Sequence, residues 1–365
     1  MARIDELFRY LKETKGSDLH LAATLAPRIR RRGELEDVRG WGPLSHQQLE
    51  ELLHEIADEE QWAEYQRCGD LDFAYGIEGL ARFRANFLRQ ENGAAAVFRI
   101  IPETILTTEQ LGLQPAIANL ADLRQGLVLI TGPTGSGKST TLAAVIDRIN
   151  TNYAKHIVTI EDPVEFVHPN KKSVFSQREV GHDTHSFADA LKVAIRQDAD
   201  VILVGEMRDL ETIALAITAA EMGALVFGTL HTNNAAKTID RLIDAFPANE
   251  QAQIRTTLSE SISAIVAQQL LQTADGQGRV AVHEILLRTS GLPNIIREGN
   301  TPMLYSIIQG GKAMGMCSMD DSLLEKVEKG KITAKAAWGK ASDKTKFEAL
   351  MKKEEAAGGG AAGAH

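Results

Sequence analysis

The chain has 365 residues, of which 44% are hydrophobic and 24% charged, and its formal net charge is −9. That length favours two domains over one, and the composition is that of a globular protein able to build a sizeable core. No run approaches the roughly 18 apolar residues that span a bilayer, and the acidic balance argues against a dominant nucleic-acid footprint while leaving room for a local basic groove.

The N-terminal MARIDELFRYLKE has acidic residues where a signal peptide is apolar, and Ile4, Leu7, Phe8 and Leu11 recur at helical spacing, which predicts a helix. Strand-like stretches follow at residues 19–21, 28–31, 71–75, 82–88 and 95–100, with a polar helix over 45–68 between them and Ser45 as its N-cap. The basic run from Arg28 to Arg32 reads as a solvated strand in preference to a binding patch. Cys68 and Cys317 give neither metal spacing nor a disulfide framework, which suits a reducing compartment. These residues, 1–102, are expected to form one domain. Residues 103–117, with little periodicity, are expected to form a linker.

From Leu120 the pattern changes to alternating strands and helices, the signature of an α/β domain with a parallel sheet. Short apolar runs at 127–130, 157–160, 201–204 and 225–230 read as strands buried on both faces. Helices are predicted at 186–197, with Ser186 and Asp189 as a capping box, and at 209–222, stopped by Gly223. A long amphipathic helix is expected over 250–271 and a further strand over 280–287. This α/β domain is assigned to 118–300, a helical C-terminal region to 301–355, and a disordered alanine-glycine tail to 356–365.

Residues 132–140 read GPTGSGKST, a match to G-x-x-x-x-G-K-[ST]. Gly132, Gly135 and Gly137 let backbone N–H groups turn inward around a polyphosphate, with Thr134, Ser136 and Thr140 completing the cradle. Lys138 carries the charge for the β- and γ-phosphates, and the Ser139 hydroxyl suits Mg²⁺. LVLI precedes the loop, and Leu142, Val145, Ile146 and Ile149 follow at i, i+3, i+4, i+7. The motif therefore sits between a strand and a helix, which sets aside an ordinary Gly-rich turn and predicts a site for ATP and Mg²⁺.

Such a site needs a metal-side carboxylate and a group that orients or deprotonates water. Two acidic clusters follow predicted strands, at the edge where α/β folds bind ligands: Glu161, Asp162 and Glu165 in one, Glu206 in the other. Glu206 and Asp162, with Ser139, are the candidate metal-side groups. The strand VILV leads through Gly205 to Glu206 instead of ending on Asp, so the division of roles stays open. Helix capping or a solvated loop is the competing reading for these acids. His231, at the end of LVFGTL, shares that edge and could sense the γ-phosphate, although a histidine at a strand end is commonly structural.

Four blocks stand in this order: GPTGSGKST, HIVTIEDPVEFVH (156–168), VILVGEMRD (201–209) and GTLHTNNA (228–235). They resemble the Walker A, Asp box, Walker B and His box of the secretion ATPases that drive type II secretion and type IV pili. GSDLHL (16–21), ARFRANFLRQ (81–90) and LSESISAIVAQQLL (258–271) are similar to the retraction type, and the likeness covers about residues 3–330. The resemblance implies a PAS-like N-terminal domain, a RecA-like ATPase domain and a cytoplasmic homohexamer, peripheral at the inner membrane, that meets a platform protein and the rest of the pilus machinery. It implies Glu206 as the Walker B glutamate, Glu161 as the Asp-box glutamate, either of which could activate water, and His231 as the His-box residue. Arg82, Arg84 and Arg99 stand where the family places arginines that reach the nucleotide; which reaches furthest is open. A segment AIRNLIRE tied to retraction is matched only in part by GLPNIIRE (291–298). The rival readings are an extension or secretion ATPase, whose longer N-terminal region and tetracysteine motif find no counterpart in this sequence, a RecA-like nucleic-acid translocase, and a non-hydrolysing regulatory partner.

Overall fold

The computed structural model describes residues 2–31, 33–101 and 104–358, with side chains through Glu354. Arg32 of the basic run, residues 102 and 103, and residues 359–365 of the tail lie outside the described residues. Residues 356–358, expected to be disordered with the tail, continue the helix Thr345–Gly358. The chain divides into two units, one of residues 1–105 with 163–167, the other of residues 106–162 with 168–365. Among the described residues no helix is long and apolar enough to cross a membrane.

The smaller unit is an α+β fold. Its strands are β1 (Asp18–Ala22), β2 (Arg28–Arg31), β3 (Glu34–Asp37), β4 (Asp70–Ile77), β5 (Ala81–Gln90) and β6 (Gly93–Ile101), paired antiparallel in the order β3-β2-β1-β6-β5-β4. Period-two alternation sets the faces: Ala81, Phe83, Ala85 and Phe87 are buried, while Arg82 and Arg84 take the other face. Phe8, from the helix Asp5–Glu13, stacks on Phe83 at 4.3 Å and meets Phe98 edge-on at 5.0 Å. The polar stretch 45–68 forms two helices, His46–His54 and Glu59–Cys68, not one. Asp58 restarts the helix, because its carboxylate accepts the Gln61 N–H while the Gln61 side chain returns to the Asp58 N–H.

The larger unit carries the strands β7 (Gly126–Thr131), β8 (His156–Glu161), β9 (Val174–Glu179), β10 (Val201–Val204), β11 (Leu225–Leu230), β12 (Ile262–Gln272) and β13 (Arg279–Leu287). They form one sheet in the order β13-β12-β7-β11-β10-β8-β9, parallel throughout except for the β12–β13 pair. β7, β10 and β11 are buried at every residue, as apolar runs without alternation require. The expected helix over 250–271 is corrected here. The helix Gln251–Ser261 ends there, and the chain continues as β12, paired to β7 on one side and β13 on the other. A strand buried on both faces has no period-two signal, so Ile262, Ile265 and Val266 fit a helical face as well as a strand, and the non-local pairing decides. β3 and β9 escape sequence reading because they are edge strands of mostly polar residues.

Parallel strands joined by crossover helices all end on one edge. That edge carries the residues following Thr131, Glu161, Val204 and Leu230, in the order β7, β11, β10, β8 across the sheet.

Candidate active site

The loop after β7 runs from Gly132 to Gly137 and feeds directly into the helix Lys138–Asn152. Gly132, Gly135 and Gly137 hold φ values of +146°, +77° and +86°, backbone that side-chain-bearing residues adopt rarely. The Lys138 ammonium donates to the carbonyls of Gly132 and Pro133 at 2.8 and 3.3 Å, so it lies folded across the loop it starts from. Ser139 and Thr140 are half-buried in the first helical turn, whose N–H groups have no acceptor within the helix. The Ser136 and Thr131 hydroxyls are buried without a hydrogen-bond partner. Positive-φ backbone, the N–H groups at a helix start, a cation at the rim and orphaned hydroxyls together fit a polyphosphate.

The carboxylates gather beside this loop. Gly205 explains why the strand passes through glycine before its acid: a Cβ there would lie 3.1 Å from the Ile160 carbonyl oxygen and 3.2 Å from Glu161 Cα. Without a side chain, its N–H donates to Ile160 O at 2.8 Å and β10 is drawn against β8. The segment then turns onto β11: Met207 N–H donates to Thr229 O at 3.1 Å, and the Thr229 hydroxyl donates to Gly205 O. Gly228 leaves room for the Met207 thioether, which a Cβ would meet at 2.9 Å. Buried Met207 between Glu206 and Arg208 puts both charged side chains on the open face of an extended segment.

The result is a clamped carboxylate. Glu206 Oε2 accepts from the Arg208 guanidinium at 2.7 Å, and Glu206 Oε1 lies 2.8 Å from His231 Nε2. The Arg208 hydrogen bond, outweighing burial, holds the Glu206 carboxyl below its ordinary range, with the charge of His231 adding in the same sense. Asp162 is exposed, and its charge acts on Arg208. Glu161, half-buried at the end of β8, sits 3.4 Å from the Gln177 amide nitrogen. Glu165 falls in the short segment grouped with the smaller unit. Arg208 is a residue that sequence reasoning missed. The available signal was its i, i+2 spacing from Glu206 in a stretch too short and Gly-bounded to be helical.

In the smaller unit the three candidate arginines share the exposed face of β5 and β6. Arg84 and Arg99 are directly opposed in register, an arrangement that costs stability for like charges. Asp18 answers Arg99 at 2.8 Å, and Asp72 lies 3.9 Å from Arg84. Burial works against the Asp18 carboxylate, but the Ser17 hydroxyl and Arg99 hold its carboxyl below the usual value.

A seven-stranded, mainly parallel sheet with a phosphate loop after a central strand and acids after the neighbouring strands defines a RecA-like P-loop ATPase fold. The family model described as Type II/IV secretion system protein matches residues 54–337, and the chain belongs to this family. It is 49% identical to the type IV pilus retraction ATPase PilT of Pseudomonas aeruginosa, over 93% of this chain and 98% of that protein. A twitching motility protein of Neisseria gonorrhoeae is also 49% identical, over 86% of this chain and 84% of its own length. Among solved structures, a crystal structure of the pilus retraction motor PilT with bound ADP superposes with a TM-score of 0.88 at 40% identity, covering 96% of this chain and all of that one (100%).

Proposed function

We propose that the protein is an ATP-hydrolysing motor that drives disassembly and retraction of a type IV pilus, working as a ring of six at the cytoplasmic face of the inner membrane. The observation that carries the ATPase reading is Glu206, held by His231 and Arg208 on the sheet edge where the P-loop begins. The retraction reading rests on the likeness to PilT along nearly the whole length of both chains.

In this reading the N–H groups of Gly135 to Thr140 and the Lys138 ammonium bind the phosphate chain of ATP. Lys138 leaves the Gly132 and Pro133 carbonyls for the β- and γ-phosphates as substrate enters. Ser139, with Glu206 or Asp162, would hold Mg²⁺, which neutralises charge on the phosphates. Glu206, kept ionised by Arg208, is a weak base and acts by orienting the attacking water; His231 holds its free oxygen in place. Glu161 is the alternative base. In the proposed ring Arg82, Arg84 and Arg99 complete the site of a neighbouring subunit; the repulsion between Arg84 and Arg99, opposed across β5 and β6, is then the cost of a patch that meets phosphate.

Replacing Lys138 by Ala tests the site. Turnover at saturating MgATP should be abolished, because positioning and electrostatics supply most of phosphoryl-transfer catalysis. Turnover within about tenfold of the parent would overturn the assignment.

A further inference from the structure

β12 runs parallel to β7 on the side away from β11, and the register pairing Ala267 with Thr131 sets Gln268 beside the first residue of the P-loop. Gln268 is 2% exposed, and both ends of its amide are engaged. Its Nε2 donates to the Ser136 carbonyl at 2.7 Å, inside the loop. Its Oε1 accepts from the Thr141 hydroxyl at 2.8 Å, on the helix that follows, and lies 3.2 Å from His283 Nε2 on β13. A carbonyl only accepts, so the NH₂ end must face Ser136, and the oxygen is left for the two donors. Burial pushes His283 down to about 3, so the ring is neutral and the tautomer with hydrogen on Nε2 donates to Oε1.

The loop glycines fit the same partner. A Cβ on Gly132 would stand 2.2 Å from the backbone carbonyl oxygen of Gln268, and one on Gly137 would stand 3.0 Å from the side-chain Nε2 of Gln268. Both fixed glycines of the motif therefore make room for β12 as well as for the loop's own backbone. The chain of bonds continues outward, since His283 N–H donates to Ser322 Oγ, on the helix Met319–Glu328, at 3.0 Å.

We infer that Gln268 is a positioning residue of the phosphate loop, tying Ser136 to the first turn of the following helix through Thr141 and to β13 through His283. The inference rests on the P-loop reading above. A side chain that only filled space would need no amide. This one links three elements whose relative placement sets where the loop N–H groups point, and it joins the loop to the C-terminal helices.

The test is titration with a fluorescent ADP analogue and steady-state ATP kinetics on the full chain. Gln268→Met keeps the volume and removes every bond of the amide. Affinity should fall about tenfold, with KM for ATP rising in step, as expected when buried partners are left unpaired. kcat at saturation should stay within about threefold, whereas general damage to the fold would lower it with the affinity. Thr141→Val, which removes one donor to Oε1 at nearly constant volume, should give a smaller loss. The double variant should bind no more weakly than Gln268→Met alone, because both act through the same amide. Parental affinity in Gln268→Met, or losses that simply add in the double variant, would overturn the inference. If Gln268→Met does not fold, Thr141→Val decides, and parental affinity there overturns it. Failure of the parent protein to bind the analogue would instead sink the P-loop reading itself, so the two failures are distinguishable.

Discussion

His231 Nε2 sits 2.8 Å from Glu206 Oε1, joining the ends of two neighbouring parallel strands across the sheet edge. The contact exists because Gly205 and Gly228 let the intervening backbone close up, so two glycines determine where the Glu206 carboxylate can stand. With Arg208 on its other oxygen, Glu206 is held from both sides, and its carboxyl lies below the ordinary glutamate range.

Glu206→Gln should therefore bind ATP and fail to turn it over. The amide preserves shape and can still meet His231, but it lacks the charge that, in the proposed mechanism, would orient water and meet Mg²⁺. A drop in kcat on the order of a hundredfold, with nucleotide affinity near the parent's, is expected in steady-state and binding assays. Loss of binding together with turnover would make Glu206 chiefly a metal or structural group and move the base to Glu161.

The pH profile carries a second expectation. A carboxyl held below its ordinary value contributes favourably above the unfolded-state pKa and loses that contribution as pH falls through the folded-state value. Since Glu206 is depressed, it stays ionised from pH 8 down past the ordinary glutamate value of 4.5, and the acidic limb of turnover should not reflect it above that point. Arg208→Ala removes the main cause of the depression and should raise that limb toward the ordinary range. An unchanged limb in Arg208→Ala would show that another group sets it.

Much of this arrangement is legible in the sequence. Strand–loop–helix periodicity locates the P-loop, and the acids after VTI and VILV and the histidine after GTL fall on one edge because parallel strands must end together. What escapes has a common cause: it depends on partners distant in sequence. β12 reads as helix because its central neighbour β7 lies far earlier in the chain, Ala267 pairing with Thr131, and its other neighbour β13 comes only after it. The clamp of Arg208 on Glu206 depends on Met207 being drawn onto β11, and Gln268 acquires meaning only from the register that places it beside Gly132.

Two buried histidines predict acid sensitivity of the larger unit. Burial lowers His168 to about 4 and His283 to about 3, each from 6.5. The unfolded chain takes up their protons first, so stability is lost as pH falls below 6.5, by at most about 1.4 kcal/mol per pH unit for each histidine. Glu284, raised by burial, titrates in the opposite sense and offsets part of this at the acidic end. Urea unfolding between pH 7 and 5 should show the decline. His168→Phe, which keeps the stack on Phe175 at 4.8 Å, should reduce its slope by about half. An unaltered slope would mean that His168 is protonated in the folded protein.

If ATP is shared between subunits, two defective chains should complement each other. Lys138→Ala removes the phosphate side of a site and Arg84→Glu the arginine side, and each should be inactive alone. Mixed rings would contain some sites with both halves intact, so mixing should restore measurable turnover. Because Arg84 is exposed and its ion pair with Asp72 is long, at 3.9 Å, its reversal should leave the fold of the smaller unit intact by circular dichroism. Full activity in a verified monomer would refute shared sites.

The last prediction concerns the direction of work. Addition and removal of pilin use the same ATP chemistry, so the catalytic residues do not decide between them. In the reading proposed here the choice lies in surfaces that would meet a pilus platform. The segment GLPNIIRE is one such candidate: it forms the helix Leu292–Glu298, with Leu292 and Ile296 buried and Arg297 and Glu298 exposed. Arg297 is exposed and donates to the Ser259 hydroxyl at 3.3 Å and to the Asn294 side-chain oxygen, bonds that water can replace, so its removal costs the fold little. Replacing Arg297 and Glu298 by Ala should leave ATP turnover of the purified protein near the parent's while abolishing twitching in cells. A strain lacking the gene should keep its surface pili, in excess, and fail to retract them, as seen by microscopy. A strain left bald by the deletion would show that this motor builds pili, and the extension reading would replace the one proposed here.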